Sequence, residues 1–173
     1  MTQLLKPVFH CLILFPLMLP VVQGQDDTAD PDVFGWIEPV YLVDADFQLE
    51  AKLDTGADHS SLGAVNIRRV RVGEKRYVRY SVRHPETDEL ISLRSPYIRT
   101  TRIRNHSGNL QRRRVVEMQI CLGQHRRTVQ VNLVDRDEFD YPLLLGRSAL
   151  EGIAIIDPAL TQLSQPDCSE ADG

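Results

Sequence analysis

The sequence predicts a small all-β domain, a barrel or sandwich of short strands. Period-two alternation recurs: Phe47, Leu49, Ala51 and Leu53 alternate with Gln48, Glu50 and Lys52, and Val78, Tyr80 and Val82 with Arg79, Ser81 and Arg83. Val116, Met118, Ile120 and Leu122 repeat the pattern. Glycine, proline and Asx turn signals divide these runs at regular spacing, and helical periodicity is almost absent.

The elements follow in order. Gln25 to Asp32 is polar, acidic and ends near proline, as a flexible leader would be, so structure is expected from Phe34-Gly35-Trp36. Ile37 to Val43 reads as a strand, Asp44-Ala45-Asp46 as a turn and Phe47 to Leu53 as the returning strand. Val65 to Val72 is a short segment turned by Gly73, and Arg76 to Arg83 is the next strand. His84 to Glu89 is a polar turn containing Pro85. Leu90 to Arg104 is strand interrupted at Ser95-Pro96, and Asn105 to Asn109 is a loop. Val116 to Leu122 and Thr128 to Val134 form a hairpin about Gly123-Gln124. After the charged loop Asp135 to Asp140, the continuous apolar run Leu143-Leu144-Leu145-Gly146 suits a strand buried on both faces. Arg147 to Leu150 is long enough for one short helix, and Ile153 to Ile156 is the last strand. An irregular tail follows Leu163.

The first 24 of the 173 residues read as a signal peptide: Lys6 is the single charge before Asp26, Cys11 to Val22 is apolar, and Val22-Gln23-Gly24 offers a cleavage site. The apolar stretch is too short and too proline-broken for a membrane span, a retained anchor being the alternative. Export to the periplasm or beyond is the expectation, with residues 25–33 as leader, one domain over 34–163 and a tail over 164–173. The mature chain keeps Cys121 and Cys168, either as a disulfide tying the tail to the body or as separate thiols.

Net charge is −4, unevenly spread. Gln25 to Asp58 is rich in carboxylates with Lys52 alone against them, whereas Arg68 to Arg114 is crowded with arginines opposed by Glu74, Glu86, Asp88 and Glu89. Arginines on the wet face of strands keep edges soluble. They also suit an acidic peptide or polymer. Nucleic acid fits less well, because little aromatic residue is interleaved for base stacking.

Chemistry concentrates at Leu53-Asp54-Thr55-Gly56-Ala57-Asp58. Asp54 ends an apolar strand just where Gly56 lets the backbone turn and Thr55 supplies a hydroxyl. A carboxylate at a half-buried strand end is a candidate site or a simple Asx-turn. The second apolar run ends in Gly146-Arg147, and the two stretches together resemble the paired signatures of retropepsin-type aspartic proteases. The chain is similar in particular to the bacterial RimK-associated retropepsin-like family, also labelled "ATP-dependent zinc protease". Lys52 to Ala57, Ser107-Gly108, Asp135-Arg136 and Tyr141 to Arg147 carry the likeness, in family order from Trp36 to about Pro158.

The resemblance implies a small acid-protease barrel with one short helix after the second signature, and Asp54 as catalytic carboxylate in a loop braced by Thr55, Gly56 and Ala57. It implies an ion pair between Asp58 and Arg147, and a second signature in Leu144, Leu145 and Gly146. Such chemistry needs two carboxylates sharing a proton, one as acid and one as base on the attacking water. A second Asp-Thr-Gly or Asp-Ser-Gly is missing: Asp27-Thr28 lacks the glycine and His106-Ser107-Gly108 the aspartate. The expectation is therefore a homodimer with one Asp54 from each subunit at a two-fold axis. A flap is expected from Tyr80 to Ile91. The family's association with glutamate ligases implies a peptide or glutamate-tagged substrate. The other reading is a catalytically silent module that binds an acidic peptide or polymer in the envelope.

No cofactor is expected. His59, His84, His106 and His125 lack the paired spacing of zinc ligands, and no glycine-rich phosphate loop supports ATP. His59-Ser60 lacks the nucleophile elbow of a serine hydrolase.

Overall fold

The computed structural model describes residues 30–104, 108, 110–134 and 140–168. The signal-peptide reading, Ser107 and Asp135-Arg136 lie outside the described residues.

Among the described residues the chain forms eleven strands and one short helix. They are β1 (Asp32–Gly35), β2 (Ile37–Leu42), β3 (Phe47–Asp54), β4 (Ser60–Gly63), β5 (Val65–Val72), β6 (Lys75–Arg83), β7 (Leu90–Arg104), β8 (Leu110–Leu122), β9 (His125–Val134), β10 (Leu143–Gly146), α1 (Arg147–Leu150) and β11 (Ala154–Asp157). The order β2-β3-β10-β4-β9-β8 closes on itself where Val40, Tyr41 and Leu42 of β2 pair with Leu122, Cys121 and Ile120 of β8. A six-stranded barrel results, the all-β fold expected, and closure removes the exposed edges an open sheet would present. Its interior holds Val40, Leu42, Ala51, Leu62, Val116, Val131, Leu143 and Leu145, all fully buried.

The alternation in the sequence is honoured strand by strand. β3 buries Phe47, Leu49, Ala51 and Leu53 and leaves Gln48 and Glu50 exposed. β10 lies between β3, to which it is parallel, and β4, to which it is antiparallel, which is why its residues are continuously apolar. The short helix follows as expected. Pro96 does not interrupt β7. It marks a change of partner, since Leu90 to Pro96 pair with β6 and Tyr97 to Arg104 pair with β8. A residue without an N–H fits where one ladder ends and another begins.

β5, β6 and part of β7 extend beyond the barrel as a basic wing. Arg68, Arg79 and Arg94 stand directly opposite one another on its three strands. Arg69 and Arg76 lie over the Tyr97 ring at 5.6 and 5.3 Å, and Arg94 over Tyr77 at 5.2 Å.

One feature departs from the sequence reading. Asp32 and Val33, read as leader, belong to β1, which pairs in parallel with β11. Residues 164–168 of the tail have no regular structure and are fastened: Gln162 N, just before them, donates to Ile37 O (2.7 Å), Asp167 N to Gly123 O (2.8 Å), and of the two cysteine readings the disulfide holds, Cys168 to Cys121 at a Cα separation of 5.9 Å. Fully buried Glu38 accepts hydrogen bonds from Gly35 N, Leu163 N, Ser164 N and Ser164 Oγ at 2.7–2.9 Å. Four donors converging on one carboxylate account for its tolerance inside the protein.

Candidate active site

Asp54 is the last residue of β3, and register places it beside Gly146, the last residue of β10. The strand pair ends together, and the chain turns away from both tips. Asp54 is half-buried; its Oδ1 accepts from Gly56 N (2.9 Å) and its backbone carbonyl from Ala57 N (3.2 Å). These bonds hold the carboxylate against its own loop and leave Oδ2 to Lys52 Nζ, 3.7 Å away. Lys52 and Asp54 are two residues apart on one strand, so they share a face.

The two signature loops are locked together. Arg147 N donates to Ala57 O (2.9 Å), Ser148 N to Asp58 O (3.3 Å), and the Arg147 guanidinium divides its fork between Thr55 O (2.9 Å) and the Asp58 carboxylate. Arg147 therefore meets Asp58 through Nη2, and both side chains are exposed. Gly146 is required by space: a Cβ there would stand 2.8 Å from His59 C and 2.9 Å from Ala57 O. Leu145 is fully buried and Leu144 half-buried between the flanking strands.

Behind these loops runs a polar chain that the sequence did not disclose. Gly146 N donates to Ser60 Oγ (3.2 Å), Asn132 Nδ2 donates to Ser60 O (2.6 Å), and Arg113 Nη1 donates to Asn132 Oδ1 (3.1 Å). Ser60 and Asn132 are both buried. In the sequence Asn132 is one more polar residue in an alternating strand, and nothing local separates it from its solvent-facing neighbours. Lys52 belongs to the first motif, and its place beside Asp54 shows only in the structure.

The expected flap over Tyr80 to Ile91 is displaced. The His84 ring in that turn packs on Phe47 with centroids 4.8 Å apart, at the opposite end of β3 from Asp54. Seven residues of strand put that contact about 24 Å away.

Among the described residues no three His, Cys, Asp or Glu side chains gather as a metal site would need, so the zinc in the family's label finds no fitting donor set here.

The model of the RimB-like family, described as the retropepsin-like aspartic endopeptidase RimB, matches residues 33–167. The chain belongs to this retropepsin-like family. A crystal structure of a protein of unknown function from Legionella pneumophila is 37% identical, with a TM-score of 0.69, over 77% of this chain and 98% of that one. Two curated relatives are each named probable alpha-L-glutamate ligase. The Parasynechococcus marenigrum protein is 34% identical over 112 residues, covering 64% of this chain and 24% of that protein. The Shewanella halifaxensis protein is 33% identical over 113 residues, covering 64% and 25%. The chain thus spans about a quarter of the length of the curated relatives it matches.

Proposed function

We infer that the protein is an aspartic endopeptidase whose working form is a homodimer, with one Asp54 from each subunit facing the other across a two-fold axis. The observation that carries the reading is the placement of Asp54: a half-buried carboxylate at a strand tip, oriented by Gly56 N–H, beside a glycine that the fold cannot replace, in a chain of the retropepsin-like family. Two carboxylates brought within hydrogen-bond reach share one proton, because like charges so close do not both ionise. The ionised member takes a proton from water as that water attacks the peptide carbonyl, and the protonated member donates to the developing tetrahedral oxygen. Thr55, Gly56 and Ala57 hold the loop, and the Asp58–Arg147 contact ties it to the second signature.

The substrate in this reading is an exported or envelope peptide rich in acidic residues. Support comes from the arginines of the wing and from the ligase name of the curated relatives, which links those proteins to glutamate. The arginines equally favour a second reading, in which the fold binds an acidic polymer without cutting it.

One substitution separates the two. Asp54→Asn keeps size and hydrogen bonding but removes the charge. Glutamate-rich peptides incubated with the enzyme and followed by mass spectrometry should be cut by the wild type and left whole by Asp54→Asn, with binding retained by both. If the wild type cuts nothing yet binds, the binding reading stands. If Asp54→Asn still cuts, Asp54 is not the catalytic group.

A further inference from the structure

Away from Asp54, at the end of the barrel where β4 runs into β5, lies a cavity of about 320 Å³ between the start of β5, the start of β8 and the end of β9. Val65, Ile67 and Leu133 give it an apolar wall, and Arg114 enters from β8, its guanidinium against Ile67. The wall is shaped by an irregularity. Between Val65 and Arg68 the β5–β6 register shifts, and Asn66 there takes a left-handed conformation (φ 57°) that asparagine tolerates better than most residues.

Arg114 is what sets the cavity apart. Arg114 Nη1 donates to Ile67 O at 3.4 Å, a long bond, while Arg114 Nε is buried with no hydrogen-bond partner among the described residues. A buried donor left unmade costs free energy, so its retention asks for an acceptor. The Nε–H lies on the same edge of the guanidinium as Nη2, turned away from the group bonded to Ile67. That edge offers two parallel donors, the arrangement that fits the two oxygens of a carboxylate.

We propose that this cavity is a carboxylate-binding site, in which Arg114 clamps the two oxygens through its Nε edge and the apolar wall takes a short aliphatic body. It is distinct from the Asp54 site and stands whether or not Asp54 hydrolyses peptides. The ligand is either a free short-chain acid or the carboxylate end of a peptide with an apolar last residue.

The test is a titration of the isotope-labelled full chain with sodium pentanoate, followed through the Arg114 Nε–Hε signal and the backbone amides of Asn66, Ile67 and Arg114. Pentanamide, of the same shape without the charge, and inorganic phosphate at equal ionic strength are run in parallel. Saturable shifts with pentanoate, absent with pentanamide and weaker with phosphate, are expected. Arg114→Lys, which keeps the charge and loses the edge, should weaken pentanoate by about tenfold. N-acetylvaline binding more tightly than pentanoate assigns the site to chain ends, and the reverse assigns it to free acids. The wild-type Nε signal decides even if Arg114→Lys fails to fold. Unmoved signals, equal response to pentanamide, or phosphate binding as tightly as pentanoate would overturn the proposal.

Discussion

At Gly146 one methyl group separates a folded site from a broken one. Its neighbours are backbone atoms of His59 and Ala57, which cannot rotate aside as a side-chain end would. Gly146→Ala should lower stability on the order of 3 kcal/mol, read as a shift in the denaturant midpoint, because relief requires moving the Asp54 loop. Tyr80 gives a different residue-scale consequence. Burial pushes its hydroxyl up to about 12, with the Ser95 hydrogen bond (2.9 Å) acting in the opposite direction. A folded pKa above the unfolded value near 10 means that this contribution is complete below pH 10 and lost as pH rises toward about 12. Stability should therefore fall by roughly 2–3 kcal/mol across that window. In Tyr80→Phe the fall should be smaller when unfolding is followed at successive pH values. Asp54, Gly146 and Arg147 are legible in the sequence because each sits in a short contiguous motif, even though the contacts that fix Gly146 and Arg147 come from the other loop. Ser60 and Asn132 take their meaning from residues many positions away, which no local pattern records.

At the scale of elements, strands whose alternation faces one core were legible and strands made by their partners were not. β4 is four residues with two serines and no alternation, and it exists because β10 and β9 offer it ladders on both sides. β1 begins in an acidic stretch and is ordered by β11, more than a hundred residues later. The tail is ordered by Glu38. Glu38→Gln would turn an NH₂ group toward either Ser164 or the Gly35 and Leu163 amides, setting donor against donor. A loss of roughly 2 kcal/mol is expected, with faster hydrogen exchange at Leu163 and Ser164. Unchanged exchange there would show that the carboxylate does not hold the tail.

For the whole molecule, barrel closure between β2 and β8 depends on pairing across the fold, and alternation alone left barrel and sandwich open. The resemblance supplied what alternation could not. If the active form is the proposed homodimer, specific activity should fall on dilution in step with the monomer fraction measured by light scattering. Activity independent of concentration through that transition would reject the two-subunit site. Attraction of acidic peptides to the arginine wing should weaken as salt is raised from about 0.05 to 0.5 M, where the Debye length shrinks below about 5 Å.

The Cys121–Cys168 bond also divides the chain into two covalent territories. With its ends 47 positions apart, it closes a ring that contains Gly146 and Arg147, while Asp54 and Asp58 lie outside it. A single nick within the ring would leave both pieces on one molecule until a thiol was added. The halves of the site would then differ in vulnerability. A cut between Asp54 and Cys121 severs the first signature from the second, and only noncovalent contacts such as the Arg147 fork would keep them together.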